Sequence, residues 1–247
     1  MKTLIVTGGS RGIGASTARI CASKGIGVIL TYNSNPEAAD EVVAAIRAAG
    51  GTVAALKLDV SDVASFGTFR QAVADVLRTG FSRSNFDYLV NNAGYGIFGP
   101  MTDVTVDQFD GLFNVHLKGP FFLTQTLLPL MADGGHIVNL TSATTRVAFA
   151  GVAPYASFKG GLAVLTRYMA KELGGRQIRA NSISPGPIRT ELGGGIDEQF
   201  EAQLAAMASL GRVGEADEIG GVIASLLSDE NRWINAQDIE VGGGYVI

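Results

Sequence analysis

The chain has 247 residues, of which 33 are glycine and 42 (19 basic plus 23 acidic) are charged, for a net charge of −4. That balance excludes the basic footprint of a nucleic-acid binder. A single cysteine, Cys21, excludes an internal disulfide, and with only two histidines a Cys/His metal site has almost no ligands to draw on.

In chain order, strand-like apolar runs occur at Thr3–Val6, Gly27–Thr31, Thr52–Leu58, Asp87–Val90, His136–Leu140, Ile178–Ile183 and Asp238–Val241. Alanine-rich amphipathic stretches lie between them, including Pro36–Ala49, Val63–Leu77, Val106–Met131, Tyr155–Leu173 and Glu215–Leu227. Each strand–helix unit takes about 35 residues, the size of a βαβ unit. Continuous apolar strands belong in a sheet covered on both faces. No linker, charge run or composition break interrupts the pattern. The expectation is α/β: one doubly wound domain over residues 1–247, with a seven-stranded parallel sheet and helices on both faces. No run approaches about 18 apolar residues, and no leader-like segment precedes Thr3, which predicts a cytoplasmic protein that does not enter a membrane.

Two helical stretches are apolar nearly all round: Phe158, Leu162, Val164, Leu165, Tyr168, Met169 and Leu173 on one, and Val115, Leu117, Phe121, Phe122, Leu123, Leu127 and Leu128 on the other. Such helices need cover on more than one side. Either they are buried within one chain, or they pack a homo-oligomer, a dimer or tetramer, which is the expectation taken here.

The first strand runs into Thr7-Gly8-Gly9-Ser10-Arg11-Gly12-Ile13-Gly14, and a helical pattern follows at once. Alone, a G-x3-G-x-G spacing is expected by chance about 0.6 times in a chain this rich in glycine. At the first strand–helix junction, it lets backbone N–H groups and a helix N-terminus meet a diphosphate. A free ribose 2′-hydroxyl calls for an acidic residue about 20 positions on. Here the second strand ends Thr31-Tyr32-Asn33-Ser34-Asn35, and no Asp or Glu occurs before Glu37. Arg11, with Asn33 and Ser34, suits a 2′-phosphate, so NADP(H) is predicted over NAD(H). The bland alternative for Arg11 is a solvated loop residue.

Tyr155 and Lys159 are one helical turn apart and share a face. A tyrosine hydroxyl ionises near pH 10, too high for acid–base work at neutrality, and an adjacent ammonium lowers that value. Ser142 follows the fifth strand, where open α/β sheets hold their ligands. Asn114 lies inside a helical stretch that disfavours asparagine.

With these residues in view, the chain resembles the short-chain dehydrogenase/reductases over essentially its whole length. Thr7 to Gly14 matches the family's TGxxxGxG cofactor motif, Asp59-Val60 the pair that meets the adenine, and Asn91-Asn92-Ala93-Gly94 the NNAG segment. Asn114, Ser142, Tyr155 and Lys159 match the catalytic tetrad, and Pro185-Gly186-Pro187-Ile188-Arg189-Thr190 the segment that meets the nicotinamide. The resemblance implies a Rossmann-like domain and hydride transfer between NADP(H) and a small carbonyl or secondary alcohol. Tyr155 would be the proton donor, Ser142 would orient the carbonyl, and Lys159 would bind the ribose and lower the tyrosine pKa. Asn114 would hold a relay water, while Ile188 and Thr190 would fix the carboxamide. An inactive nucleotide-binding relative is the alternative from another class.

The pocket should be bordered by Tyr95–Pro100, Ala143–Val152 and the stretch from Thr190 to about Leu210, mostly apolar, with Arg146 the one evident cation. Gly193-Gly194-Gly195 suits either a lid hinge or a solvated loop. Similarity to 3-oxoacyl-acyl-carrier-protein reductases makes an oxoacyl thioester the alternative substrate. However, Met131-Ala132-Asp133-Gly134-Gly135 lacks the basic residues that would meet an acidic carrier, leaving Arg176.

Overall fold

The computed structural model describes residues 1–195 and 197–247. In chain order its elements are β1 (Thr3–Val6), α1 (Gly12–Ser23), β2 (Gly27–Tyr32), α2 (Pro36–Ala48), β3 (Val53–Lys57), α3 (Phe66–Gly80), β4 (Phe86–Asn91), α4 (Val106–Phe113), α5 (Gly119–Leu127), β5 (Met131–Leu140), α6 (Ala153–Leu173), β6 (Arg179–Pro185), β7 (Ile188–Arg189), α7 (Glu198–Ala206), β8 (Gly214–Glu215), α8 (Ala216–Leu226) and β9 (Asp238–Val241). Seven strands form one parallel sheet in the order β3-β2-β1-β4-β5-β6-β9. The expected seven-stranded, doubly wound α/β sheet is what the chain forms. The two-residue β7 and β8 pair separately, and neither they nor α7 had a signal in the sequence reading.

Side chains alternate across each strand and so fill two cores. Leu4, Val6, Val28, Leu30 and Val90 pack under α1, α2 and α8, through residues such as Ala18, Val42, Ile46 and Ile223. Ile5, Ile29, Leu89 and Ile137 face α3, α5 and α6, where Phe69, Leu77, Leu123, Leu127 and Met169 meet them. These helices bury part of the apolar surface that suggested an oligomer. Phe158, Leu162 and Met169 are buried, and Phe109, Phe121, Val164 and Tyr168 remain exposed.

The stretch predicted as one helix from Val106 to Met131 is instead divided. It runs as α4, a π turn over Asn114–Lys118, α5 and a short 3-10 turn over Leu128–Leu130, and Met131 already belongs to β5. The Gly119 N–H reaches back five residues to the Asn114 carbonyl. Pro120 has no N–H to continue the α ladder. A side chain at Gly119 would sit 2.2 Å from the Val60 carbonyl, so the segment presses against the end of β3.

Several polar side chains buried between strands and helices bond to one another. Asn91 donates to Asn139 Oδ1 at 2.8 Å and to the Thr124 hydroxyl at 3.2 Å, and Asn139 donates to the Thr166 hydroxyl at 2.8 Å. Asn181 Nδ2 lies 2.8 Å from His136 Nε2 and also donates to the Ile234 carbonyl. Because Asn181 is the donor, His136 accepts at Nε2. Burial, with Arg179 nearby, holds His136 down to about 3, against about 6.5 in an unfolded chain. Between those values the unfolded state binds more protons, so stability falls as pH drops from 6.5 toward 3. Urea midpoints measured across that window should fall with acid, and a His136→Gln protein should show a shallower decline.

Candidate active site

The carboxyl ends of β1 to β6 open onto a cavity of about 400 Å³. From the glycine turn, Gly8, Ser10, Arg11, Gly12 and Ile13 line it. After β2 come Asn33 and Ser34, after β3 Asp59 and Val60, and after β4 Ala93 and Gly94. Pro185, Gly186, Ile188 and Thr190 form the side beyond β6, and Ser142, Tyr155 and Lys159 complete the wall. Residues from seven separate stretches of sequence therefore meet at one sheet edge.

Four other predicted site residues do not reach this wall. The Thr7 hydroxyl accepts from the Asn92 and Ala93 N–H groups at 3.0 Å each, tying β1 to the segment after β4. Gly14 lies behind the turn, where a Cβ would stand 2.2 Å from the Gly8 carbonyl. Asn91 belongs to the buried Asn139–Thr124 network. Asn114 opens the π turn, and among the described residues no hydrogen bond joins its side chain to Lys159.

The turn suits an anion. Gly8 has the left-handed φ of +63° that glycine supplies without strain. At the N-terminus of α1, Arg11 makes no side-chain cap and the first turn carries no acidic residue. Those N–H groups therefore face the cavity with the positive end of the helix dipole. The end of β2 offers Asn33 and Ser34 rather than a carboxylate. Arg11 donates to Glu191 at 3.0 Å, and both side chains are exposed, so this guanidinium sits at the cleft mouth in a surface ion pair of small worth. Asp59 accepts from the Ser61 N–H and hydroxyl at 2.8 and 2.7 Å. Burial pushes its pKa up, but Ser61 and Asn33 outweigh that and hold it below the usual carboxylate value.

The inner end carries two titratable side chains, Lys159 and Tyr155. Lys159 is buried, donates to the Leu140 carbonyl at 2.6 Å and stands 5.6 Å from the centre of the Tyr155 ring. Its burial pulls it down to about 7. Burial pushes Tyr155 up to about 12, while hydrogen bonding with the Ser142 hydroxyl pulls the other way. The sequence led us to expect a tyrosine lowered by its lysine; in the structure burial and Ser142 set its value, and desolvation prevails. Ser142 also caps the turn over Ala143–Thr145, accepting from the Thr144 N–H at 3.3 Å and from its hydroxyl at 3.0 Å.

Two further cavity residues, Tyr95 and His116, flank this group. Tyr95 was expected at the pocket border; His116 was not singled out, and its only sequence signal was a position two residues past Asn114. Arg146 does not face the cavity as a free cation. It binds both Glu240 carboxylate oxygens at 2.6 and 2.8 Å and the Tyr245 and Val246 carbonyls at 2.7 Å each. Arg176 is held by Asp133 at 2.7 Å and the Leu128 carbonyl at 3.0 Å.

Residues 8–246 match the family model described as Enoyl-(Acyl carrier protein) reductase. An uncharacterised oxidoreductase of Methylorubrum extorquens is 38% identical, with 98% of this chain and 97% of that protein covered. The solved short-chain dehydrogenase/reductase from Serratia marcescens BCRC 10948 superposes with a TM-score of 0.91 at 36% identity, covering 100% and 98% of the two chains. This chain is a short-chain dehydrogenase/reductase. A second solved member, the angucycline C-6 ketoreductase LanV with bound NADP, gives a TM-score of 0.93 at 32% identity, covering 99% and 95%. In this member of the family, the Thr7 hydroxyl fixes the glycine turn to the NNAG segment together with Asn92, whose side-chain amide donates to the Thr7 and Gly8 carbonyls at 2.8 and 3.1 Å. Thr7→Val strands two N–H groups, and a urea titration should show a loss of about 2 kcal/mol.

Proposed function

We propose that the chain is an NADP(H)-dependent carbonyl reductase, acting reversibly on an uncharged ketone or secondary alcohol. The observation that carries this reading is the convergence of Ser142, Tyr155 and Lys159 at the inner end of a cleft whose outer end suits a phosphorylated dinucleotide. LanV, a ketoreductase, was solved with NADP, and the absence of a carboxylate after β2 favours the same cofactor here.

When bound, the nicotinamide supplies the hydride. Tyr155 gives its hydroxyl proton to the carbonyl oxygen, and Ser142 donates to the same oxygen and orients it. A Lys159 ammonium held near neutrality by burial can return a proton toward the Tyr155 oxygen after each turnover. The reverse reaction takes the alcohol proton onto the tyrosine. Asn114 serves this relay through water beside the π turn. Thr7, Gly14 and Asn91 support the cofactor wall from behind it, and Ile188 and Thr190 hold the carboxamide end.

Tyr95, Val115, Ile188 and Leu192 on the cavity wall favour an apolar substrate. The pairing of Arg146 and Arg176 weakens the case for an oxoacyl thioester on an acidic carrier. The exposed Phe121, Val164 and Tyr168 on α5 and α6 support self-association, and sedimentation of a single 25.7 kDa species at micromolar concentration would contradict it.

NADPH oxidation should be followed over a panel of apolar ketones, quinones and 3-oxoacyl thioesters. Tyr155→Phe is expected to lose at least about 100-fold in kcat while still binding NADPH; near-normal turnover would overturn the assignment. NADPH should exceed NADH in kcat/KM by about tenfold or more, as a charge-assisted bond to Arg11 of about 1.5–3 kcal/mol implies. Arg11→Ala should erase that margin.

A further inference from the structure

The buried histidine beside Tyr155 has no role in the reading above. His116 sits in the π turn, is 1% exposed and lines the cavity. Its Nε2 lies 2.7 Å from the Tyr95 carbonyl. A carbonyl only accepts, so Nε2 carries the proton and Nδ1 is left as the bare nitrogen. The ring stands edge-on to Tyr155, with centroids 5.0 Å apart and planes at 82°, and tilts against the Tyr95 ring at 5.9 Å. On its other side it fills the space over Gly94, where a Cβ would lie 2.7 Å from His116 Cε1 and 3.3 Å from Nδ1.

These contacts make one chain of support. The segment after β4, the His116 ring, the Tyr155 ring and the Lys159 ammonium follow one another without a gap. Tyr155 is bounded by His116 on one side and has Lys159 near its ring. Packing thus adds to the Ser142 hydrogen bond in fixing its ring. Only a planar group with a donor at the Nε2 position meets both demands, since the Tyr95 carbonyl needs a proton and the Tyr155 ring needs an edge. Burial and the Lys159 charge hold His116 down to about 3, so no second cation is placed beside Tyr155.

We propose that His116, as the neutral tautomer protonated at Nε2, is a positioning residue that holds the Tyr155 ring in its reactive orientation and locks the Gly94–Tyr95 wall to it. The proposal rests on the reductase reading for its kinetic consequence, because a misplaced proton donor costs rate rather than binding.

The test compares His116→Ala and His116→Gln with the parent, each active-site concentration being fixed by NADPH titration. His116→Ala should lower kcat by about 10–100-fold with the NADPH Kd changed by less than about threefold. His116→Gln, which places an amide N–H where Nε2 was, should recover most of that loss. A kcat for His116→Ala within twofold of the parent, or a glutamine variant no better than alanine, would overturn the proposal. Nitrogen NMR of histidine-labelled protein at neutral pH reads the placement without turnover: Nε2 should be protonated and Nδ1 bare, and the opposite tautomer would overturn it. Should Tyr155→Phe keep full activity, the reductase reading fails, while the NMR result still decides where His116 stands.

Discussion

The parallel hydrogen-bond ladder from β2 through β1, β4 and β5 to β6 is what the site depends on. Its register sets Val6 beside Leu30 and Val90, Asn91 beside Asn139, and Leu140 beside Ile183. Five strands therefore end at one edge, and each following loop starts from a fixed height. A slip of one residue in any pair would turn its side chains to the opposite face. Apolar packing under both faces resists such a slip, and the buried Asn91–Asn139–Thr166 chain adds a polar check, since its partners meet in one register only.

Burial then shapes the chemistry that the ladder assembles. Tyr155 and Lys159 are both driven toward their uncharged forms, the first upward and the second downward. Their values draw apart from those of free side chains in a way that keeps a proton on the phenol and makes the ammonium labile. The Leu140 carbonyl, the last of β5, gives Lys159 its hydrogen bond, so the sheet edge itself supports the buried ammonium.

Local patterns reveal what is set locally. The seven strands were visible because a doubly covered sheet needs uninterrupted apolar runs, and their ends differ from expectation by only a few residues apart from β5, which starts at Met131. The glycine turn was visible because its spacing answers a backbone demand. The break at Asn114 was not read, because the pattern is helical on both sides; Pro120 is a local signal for it, but the contact of Gly119 with the Val60 carbonyl lies far away in sequence. Arg11–Glu191 and Arg146–Glu240 are separated by 180 and 94 residues, beyond any periodicity. Arg146 consequently read as a free cation when its fork is filled. His116 went unread for a related reason: a lone histidine in an apolar helix is ordinary until its neighbours are known.

The π turn carries a consequence for the length of its segment. Each residue advances an α-helix by about 100°, so one residue removed between Asn114 and Lys118 would restore regular winding across α4 and α5 and better local hydrogen bonding. The same deletion would leave α5 on its face but carry His116 away from the Tyr95 carbonyl it bonds. A mutation favourable to the helix in isolation is therefore unfavourable to the molecule. The length of this segment is therefore held by what His116 and Gly119 touch, and not by the helix's own stability.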